Sequence, residues 1–309
     1  MQLDGCASVS LHLVRGPSIE QSFAQFRPMF THAFFGDEGL IMGYKRANID
    51  LYVEEETLNS FIKEDIEVAN QGAADPIDQM MESLDRCGVS RDFADFHNKC
   101  EKTKFEPAGQ PVYQYVPAPS FRGKQSERDK DPDVSYMIFR SRVCEEPMRS
   151  YHRKLQMMGL FLIDRASFIE EDDDQWEIFV ILRKKFTDDQ SEEQDDDIKI
   201  NETKQQLEKD QRKKKNYPEY GIVGYTTVYR FFRFPDSSRW RISQFVILPP
   251  YGGQGHGSRL LQCVYEEALK SNVVDVTLEL QSPEFKLMRT MTDMIVLRKH
   301  GIFQFEYQY

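Results

Sequence analysis

The most telling segment of the chain is Gln244-Phe245-Val246-Ile247-Leu248-Pro249-Pro250-Tyr251-Gly252-Gly253-Gln254-Gly255-His256-Gly257-Ser258-Arg259-Leu260-Leu261. An apolar run stops at two prolines, passes through glycines and restarts as an amphipathic helix. A strand that feeds a glycine-rich turn into a helix N-terminus leaves backbone N–H groups unpaired at the positive end of the helix dipole. Such a junction suits a phosphate or pyrophosphate, so we expect a ligand that carries phosphate.

Two common phosphate sites do not match this turn. A nucleoside-triphosphate loop places Lys and then Ser or Thr after its last glycine, whereas Gly257 is followed by Ser258 and Arg259. A dinucleotide site needs the spacing GxGxxG after an early βαβ unit, and the glycines at 252, 253, 255 and 257 do not have it. On the glycines alone, a turn without any ligand stays an alternative.

The turn resembles the pyrophosphate turn of the GCN5-related N-acetyltransferases, which reads Gln or Arg, x, x, Gly, x, Gly or Ala. Gly255 and Gly257 are the two small residues, and Gly252 stands where Gln or Arg is usual. Further segments, covering about 8 to 288, resemble the type B histone acetyltransferase catalytic subunit in that family's order. They are Phe34-Phe35-Gly36-Asp37-Glu38, Met42-Gly43-Tyr44-Lys45, Ser150-Tyr151-His152-Arg153-Lys154-Leu155-Gln156, Ala166-Ser167-Phe168-Ile169, Val223-Gly224-Tyr225-Thr226-Thr227-Val228-Tyr229 and the 247–257 loop.

The resemblance implies an α+β fold, in which a mixed sheet flanked by helices follows a smaller mixed α/β N-terminal domain. A stretch rich in Pro, Gly and charge at 105–132 indicates a boundary between domains at 1–125 and 134–284. The chain departs from the family in a charged insertion at 187–216 and in its C-terminal part, where we expect 285–309 to be the truncated start of a helical segment. Apolar patterning predicts strands at 8–15, 40–53, 134–139, 176–182, 221–234, 240–248 and 273–280. Helical spacing is found at 56–70, 75–86, from about 147, and at 256–270.

Acetyl-CoA is the co-substrate that the resemblance implies, with no metal ion. Its pyrophosphate would lie on the glycine turn, and its pantetheine arm and thioester on backbone groups of the preceding strand. The implied cofactor-binding residues are Phe245, Val246, Ile247, Gly252, Gly253, Gln254, Gly255, His256, Gly257 and Ser258. Histidine is a common catalytic base. The position of His256 inside the turn favours a structural role instead.

Acetyl transfer to lysine needs a proton acceptor, because a lysine amine with a pKa of about 10.4 is neutral only about once in 2,500 molecules at pH 7. In 273–280 the even positions are apolar, so Glu279 points to the opposite face together with Asp275 and Thr277. Glu279 resembles the family's catalytic glutamate. The family usually follows it with Asp, where this chain has Leu280, and carries Glu where this chain has Asp164. Asp164 is the second candidate; solvent-facing carboxylates are the alternative for both.

Substrate recognition is inferred from the same resemblance. Asp37 and Glu38 would contact a basic histone tail, although Gly36-Asp37-Glu38-Gly39 is also good turn chemistry. The second tail-contacting segment is Tyr229-Arg230-Phe231, in which Arg230 would repel a basic tail. The implied partners are core histones, chiefly the tail of histone four, and a β-propeller histone-binding subunit.

Composition is compatible with these expectations. A net charge of −11 favours a basic partner and argues against direct contact with DNA. Five scattered cysteines indicate neither disulfides nor a zinc site, and the sequence shows no long apolar run or signal peptide. We therefore expect an intracellular, soluble protein that does not contact membranes, and the resemblance implies the nucleus and cytoplasm as its location.

Three functions stay open at this point. The first is a lysine acetyltransferase that acts on the tail of free, newly made histone four by direct attack in a ternary complex. The second is a catalytically weak histone-binding module of the same fold, suggested by Leu280 and Asp164. The third is an acetyltransferase for small amines that shares only the cofactor site.

Overall fold

The computed structural model describes residues 1–116, 134–185, 220–279 and 281–302. The expected insertion at 187–216 and the position of Leu280 lie outside these residues, as do parts of 105–132 and of the C-terminal segment. Within the described ranges, no helix is long and apolar enough to cross a membrane. The same ranges contain no group of three or more His, Cys, Asp or Glu side chains placed to hold a metal ion.

The first half of the chain folds mainly into short strands and helices. In chain order they are β1 (Gln2–Asp4), α1 (Gly5–Ser8), β2 (Val9–Val14), β3 (Ser22–Phe26), α2 (His32–Phe35), β4 (Leu40–Met42), β5 (Tyr44–Glu54), β6 (Ser60–Val68), α3 (Pro76–Leu84), α4 (Phe93–Lys102) and β7 (Gln110–Tyr115). β3, β2, β5 and β6 form one sheet in that order, with β2 and β5 parallel, and β1 pairs with β4.

The second half forms most of a larger sheet and its three helices. Its elements are β8 (Val134–Arg142), α5 (Met148–Leu162), β9 (Trp176–Lys185), β10 (Tyr220–Arg233), β11 (Ser237–Ile247), α6 (His256–Lys270), β12 (Val273–Leu278) and α7 (Pro283–Lys299). The sheet order is β12-β11-β10-β9-β8-β7, antiparallel except for the parallel pair of β11 and β12. Thus β7, from the first half, is an edge strand of the larger sheet.

Helices cover both faces of the larger sheet. On one face, Gly159 of α5 packs against the Tyr225 hydroxyl, and we call this the α5 face. On the other face, Arg140 of β8 donates to Glu267 of α6, and we call this the α6 face. Because both faces are covered, the middle of β9 is a continuous buried apolar run, Ile178 to Leu182, without alternation.

One predicted helix is wrong. The segment 56–70 has helical spacing, but it forms β6, which pairs with β5 along most of its length. Only the start of β6 is buried, and its outer half is a charged edge that ends at Val68. Charged residues at the exposed end of an edge strand break the two-residue alternation that would have revealed it. The helices predicted at 75–86, from 147 and at 256–270 are α3, α5 and α6.

Candidate active site

The glycine turn between β11 and α6 presents a row of unpaired backbone donors. A 3-10 turn at Pro249–Tyr251 follows β11, and α6 begins at His256 with no side-chain cap. Among the described residues, none supplies an acceptor for the backbone N–H groups from Gly253 to Ser258. These six donors stand at the N-terminus of a 15-residue helix. The arrangement suits an anion with several oxygens, such as a pyrophosphate.

Glycine is required in this turn for backbone conformation rather than for space. Gly253 and Gly255 have φ of 75° and 85°, in the left-handed region that glycine adopts most easily. A Cβ built on either residue has nothing within 4 Å, so the space in front of the turn is open. Gly257 differs, because a Cβ there would stand 2.7 Å from the sulfur of Met288 in α7.

Tyrosines surround His256 at the base of the turn. Its Nδ1 is 2.7 Å from the Tyr115 hydroxyl, and its ring centroid lies 4.5 Å from that of Tyr136. Burial lowers the pKa of His256 to about 4, and burial raises the pKa of Tyr115. Tyr115 therefore donates to a neutral imidazole, whose Nε2–H faces Gln254 Oε1 at 3.4 Å. A histidine in this state supports the turn and is a poor proton acceptor at neutral pH.

The strand before the turn separates from β12. Among the described residues, the last contact of this parallel pair is the bond from Glu279 N–H to Ile242 O at 3.0 Å. Strand β11 continues to Ile247, and the described residues that pair with it there belong to β10. Hydrogen bonding alternates along an antiparallel strand, and Leu248 N–H donates to Val223 O. Val246 therefore bonds to β10 as well. The N–H and C=O groups of Phe245 and Ile247 point into the gap, so two of the three predicted backbones are free for a ligand.

A β-bulge lies where the strands separate. Thr227 of β10 faces two residues of β11, Ser243 and Gln244. The Thr227 hydroxyl accepts from Gln244 N–H at 3.1 Å, and the Thr226 hydroxyl donates to Gln244 O at 2.8 Å. Both threonines are fully buried, so their hydroxyls replace the ladder bonds that the bulge removes.

Helix α7 forms a wall beside the gap and the turn. Phe285 packs edge-on against Phe245 with ring centroids 4.9 Å apart, and Thr292 Oγ1 is 2.8 Å from Ser258 Oγ. These contacts place α7 on the α6 face, next to the predicted cofactor-binding residues. A ligand on the turn would therefore lie between α6, α7 and the free edge of β11.

Glu279 stands at the fork between β11 and β12. Its side chain is exposed, and Ser243 Oγ donates to Oε2 at 2.6 Å. The strand register puts Asp275 and Thr277 opposite Arg239 and Arg241, on the face that the alternation of apolar residues predicts. The sequence analysis did not identify Ser243. The available signal was a hydroxyl residue within the strand that leads to the glycine turn.

Asp164 and Glu279 have different partners. Its carboxylate is 67% exposed and 4.0 Å from Nδ1 of His32 in α2. The backbone N–H of Arg165 donates to His32 Nε2, so Nδ1 carries the ring proton when the imidazole is neutral and faces Asp164. Within the described parts of the chain, the contacts of Asp164 and of Glu279 share no residue.

The predicted substrate-binding residues fall into two groups. Asp37 and Glu38 are exposed in the turn after α2, so they lie on the same small element that contacts Asp164. Tyr229 packs against Trp176 and Phe231, with ring centroids 4.8 and 4.6 Å away.

Arg230 lies on the opposite face of β10 from Tyr229 and Phe231. It donates to Glu177 at 2.9 Å, and Glu177 also accepts from Arg140 on the α6 face. The expected repulsion of a basic tail by Arg230 is therefore offset by a buried carboxylate, and strand alternation separates Arg230 from its two neighbours.

Comparison with known families agrees with this geometry. A family model described as "Histone acetyl transferase HAT1 N-terminus" matches residues 2–164, and one described as "Acetyltransferase (GNAT) family" matches residues 172–290. The second match covers β9 to β12, α6 and the first part of α7, and it identifies this part of the larger sheet as belonging to the acetyltransferase fold. Together the two matched regions contain all the site residues that the sequence predicted.

Individual relatives are similar over most of the chain. Proteins called "Histone acetyltransferase type B catalytic subunit" in Cryptococcus neoformans and Homo sapiens are each 28% identical, over 92% and 91% of this chain. A similarly named Dictyostelium discoideum protein is 28% identical over 89%. The chain covers 66%, 61% and 53% of these three proteins, so it spans about half to two thirds of their length.

Proposed function

Because the chain belongs to the HAT1 family of histone acetyltransferases, whose curated members are called type B catalytic subunits, we propose that it is a histone lysine N-acetyltransferase. It transfers the acetyl group of acetyl-CoA to a lysine amine in the tail of free, newly made histone four. Transfer occurs by direct attack in a ternary complex, with no acetyl group carried by the enzyme.

One observation carries this proposal: the free edge of β11 runs from the six free N–H groups of the glycine turn to the fork where β11 leaves β12, and Glu279 stands in that fork. A pyrophosphate on the turn would leave the extended pantetheine arm to follow the free edge at Ile247 and Phe245. Acetyl-CoA, once bound, supplies an activated thioester. The residues present fit that ligand, because donors, open space and an exposed strand edge follow one another along a single segment.

In the reaction, the protein itself must accept the proton that the substrate lysine loses. Lysine must lose a proton to become nucleophilic, and Glu279 is the exposed carboxylate nearest the fork. The Ser243 hydroxyl holds one of its oxygens, which leaves Oε1 directed away from that bond and available to accept the proton. A free backbone N–H at Phe245 or Ile247 is placed to stabilise negative charge on the thioester oxygen.

Charge supports a basic peptide as acceptor. The chain carries 51 acidic and 40 basic residues, and Asp37 and Glu38 are exposed beside the element that contacts Asp164. Carboxylates along the path of a Lys-rich tail increase its association rate and affinity. As parts of the same proposal, the protein works with a β-propeller histone-binding subunit, contacts no DNA, and acts in the nucleus and cytoplasm.

The experiment that tests the function offers substrates of each class to the purified chain. Radiolabelled acetyl-CoA is mixed with free core histones, assembled nucleosomes, or a polyamine panel, and incorporation into each is counted. We expect labelling of free histone four, with its tail peptide labelled at a comparable rate. Glu279→Gln is the control for label that is not transferred by the proposed site.

The other outcomes favour the alternatives. Binding of the histone four peptide without turnover on any histone would favour the catalytically weak binding module. Labelling of polyamines alone would favour the small-amine acetyltransferase. Labelling that persists in Glu279→Gln would remove this carboxylate from the reaction.

A further inference from the structure

A buried charge cluster joins the N-terminal sheet to the glycine turn. Its centre is Glu55, which follows β5 and is completely buried. Glu55 N–H donates to Val14 O in the N-terminal sheet at 3.0 Å, and Glu55 O accepts from Ile222 N–H of β10 at 2.8 Å. The backbone of one residue thus connects the two sheets.

The Glu55 side chain extends this connection to arginines on both sides. Oε1 accepts from Arg15 Nε and from Arg183 Nη2, each at 2.8 Å. Arg15 follows β2, and Arg183 lies in β9 with only 8% of its side chain exposed. Gly221 of β10 leaves room for the carboxylate, because a Cβ there would stand 2.6 Å from Oε2.

Arg183 passes the connection on to the turn. Its guanidinium lies beside the hydroxyl of Tyr251, the last residue of the 3-10 turn that begins the glycine segment. The backbone makes a second link, because Leu248 N–H, just before that turn, donates to Val223 O, next to Ile222. Burial lowers the pKa of Arg183, but Glu55 and Tyr251 more than compensate and hold it above its usual value. Tyr251 is itself 7% exposed, and its ring meets that of His256 edge-on at 6.0 Å.

We propose that Glu55 and Arg183 are positioning residues for the cofactor: through Tyr251 they hold the glycine turn in the shape that accepts a pyrophosphate. The proposal rests on the proposed acetyl-CoA site. The physical reason is that the turn has no side-chain cap of its own. Its glycines lower the cost of its conformation but do not select it, because glycine also adopts many others.

Contacts from outside the turn make that selection near its entrance and its exit. Tyr251 is fixed at the entrance by Arg183, and His256 at the exit by Tyr115. Preorganised donors bind an anion more tightly than donors that must be ordered on binding. The N-terminal sheet thereby affects cofactor affinity, although Glu55 itself does not face the open side of the turn.

The test compares two buried carboxylates that each accept hydrogen bonds from two arginines. They differ in whether one of those arginines lies beside the glycine turn. Glu55→Gln removes the charge beside Arg183. Glu177→Gln is the matched control, since Glu177 has 4% of its side chain exposed and accepts from two arginines, Arg140 and Arg230. Neither of those arginines touches the glycine turn. Both variants should lower Tm by several degrees.

Cofactor affinity separates the two variants. By calorimetry, we expect the Kd for acetyl-CoA to rise about 10-fold in Glu55→Gln and to stay unchanged in Glu177→Gln. In steady-state assays, KM for acetyl-CoA should rise in Glu55→Gln while kcat at saturation is retained. Loss of folded protein would instead lower kcat with KM unchanged. Equal affinity losses in the two variants, or none in Glu55→Gln, would overturn the proposal.

Two milder variants keep the test decisive if Glu55→Gln does not fold. Tyr251→Phe removes only the hydroxyl that Arg183 contacts, and Arg183→Lys keeps the charge but has no fork to span two partners. Each should weaken acetyl-CoA binding several-fold with Tm nearly unchanged, and an unchanged Kd in both would overturn the positioning role. If the unaltered chain does not bind acetyl-CoA, the proposed function fails, and the positioning role with it.

Discussion

Strand β11 connects two sites that are held in opposite ways. Beyond Ile247, the glycine turn rests on buried groups, with Tyr251 beside Arg183 and His256 bonded to Tyr115. At Ile242, Glu279 is exposed, and one hydroxyl from Ser243 holds its carboxylate.

The difference follows from what each site has to bind. An anion is bound best by donors fixed in advance, and fixing them requires buried supports. A proton acceptor for a peptide lysine must remain reachable, and the peptide itself excludes water when it arrives. The cofactor site is therefore built into the core, while the acceptor site is completed by its substrate.

The exposed site should depend on a single charge. In Glu279→Gln the amide keeps the shape but cannot accept a proton, so kcat should fall by roughly 10²-fold or more. Affinities for acetyl-CoA and for the histone peptide should be unchanged. The control is Asp275→Asn, which alters an exposed carboxylate on the same strand, bonded to Arg239. A kcat that falls equally in both variants would refute a specific role for Glu279.

The free energy of unfolding should be sensitive to acid, because two histidines are buried, His256 in the glycine turn and His152 in α5. Burial lowers the pKa of His256 and of His152 to about 4, below the unfolded value of about 6.5. The unfolded chain therefore takes up protons first, so stability is complete above pH 6.5 and is lost as the pH falls towards 4. Between pH 6.5 and 5 each histidine should remove about 2 kcal/mol from the free energy of unfolding.

Urea denaturation at pH 7, 6 and 5 measures this loss. The useful control is His152→Met, because neither ring nitrogen of His152 has a hydrogen-bond partner among the described residues. The variant should keep the contribution of His256 and lose that of His152, so the decline becomes shallower by about 2 kcal/mol. Identical declines in parent and variant would show that His152 is not buried in its neutral form.

The shape of the turn can be altered without touching its supports. Gly255→Val places a branched residue at a φ of 85°, which costs about 1–2 kcal/mol, and it should raise the Kd for acetyl-CoA about 10-fold. Gly72→Val is the control, since Gly72 has a φ of 88° and nothing within 4 Å of a built Cβ. It should lose similar stability and no affinity.

Gly257→Val is a less clean probe, because the added carbons also push on Met288 in α7. Calorimetry on the three variants separates conformation from crowding. Unchanged affinity in Gly255→Val, with the fold intact, would mean that the turn does not hold the cofactor.

The weakest effect is expected at Asp164. Its carboxylate is exposed and its nearest partner is His32, so Asp164→Asn should change kcat by no more than about 2-fold. The double variant with Glu279→Gln should match Glu279→Gln alone. A further large loss in the double variant, different from the product of the single effects, would show that the two carboxylates share one proton transfer.

The sequence predicted the core of the acetyltransferase part well. The expected helix at 256–270 has the bounds of α6, and the strand expected at 273–280 is β12, which runs to Leu278. These elements have strong periodicity and clear turn residues, so local chemistry defines them. The supports of the turn could not be predicted in this way, because Glu55 and Tyr115 come from segments far away in the sequence.

The segment 56–70 shows where prediction from local sequence patterns fails. Its spacing is compatible with a helix, and only pairing with β5 makes it a strand. Arg230 shows a smaller version of the same limit: sequence adjacency grouped it with Tyr229 and Phe231, while strand geometry turns it to Glu177. Which strands pair depends on the tertiary structure, and local sequence patterns do not contain that information.

The β-bulge at Ser243 and Gln244 limits how this protein can diverge. If either residue were deleted, Thr227 would face a single residue, and β11 would lose the bend and added twist that a bulge gives a strand, at the point where it separates from β12. Substitutions along β11 are tolerable as long as the number of residues in the strand is unchanged. We therefore expect homologues with this cofactor site to differ freely in side chains there, but to have the same number of residues between Ile242 and Gly252. Length changes should instead occur in the hairpin between Arg233 and Ser237.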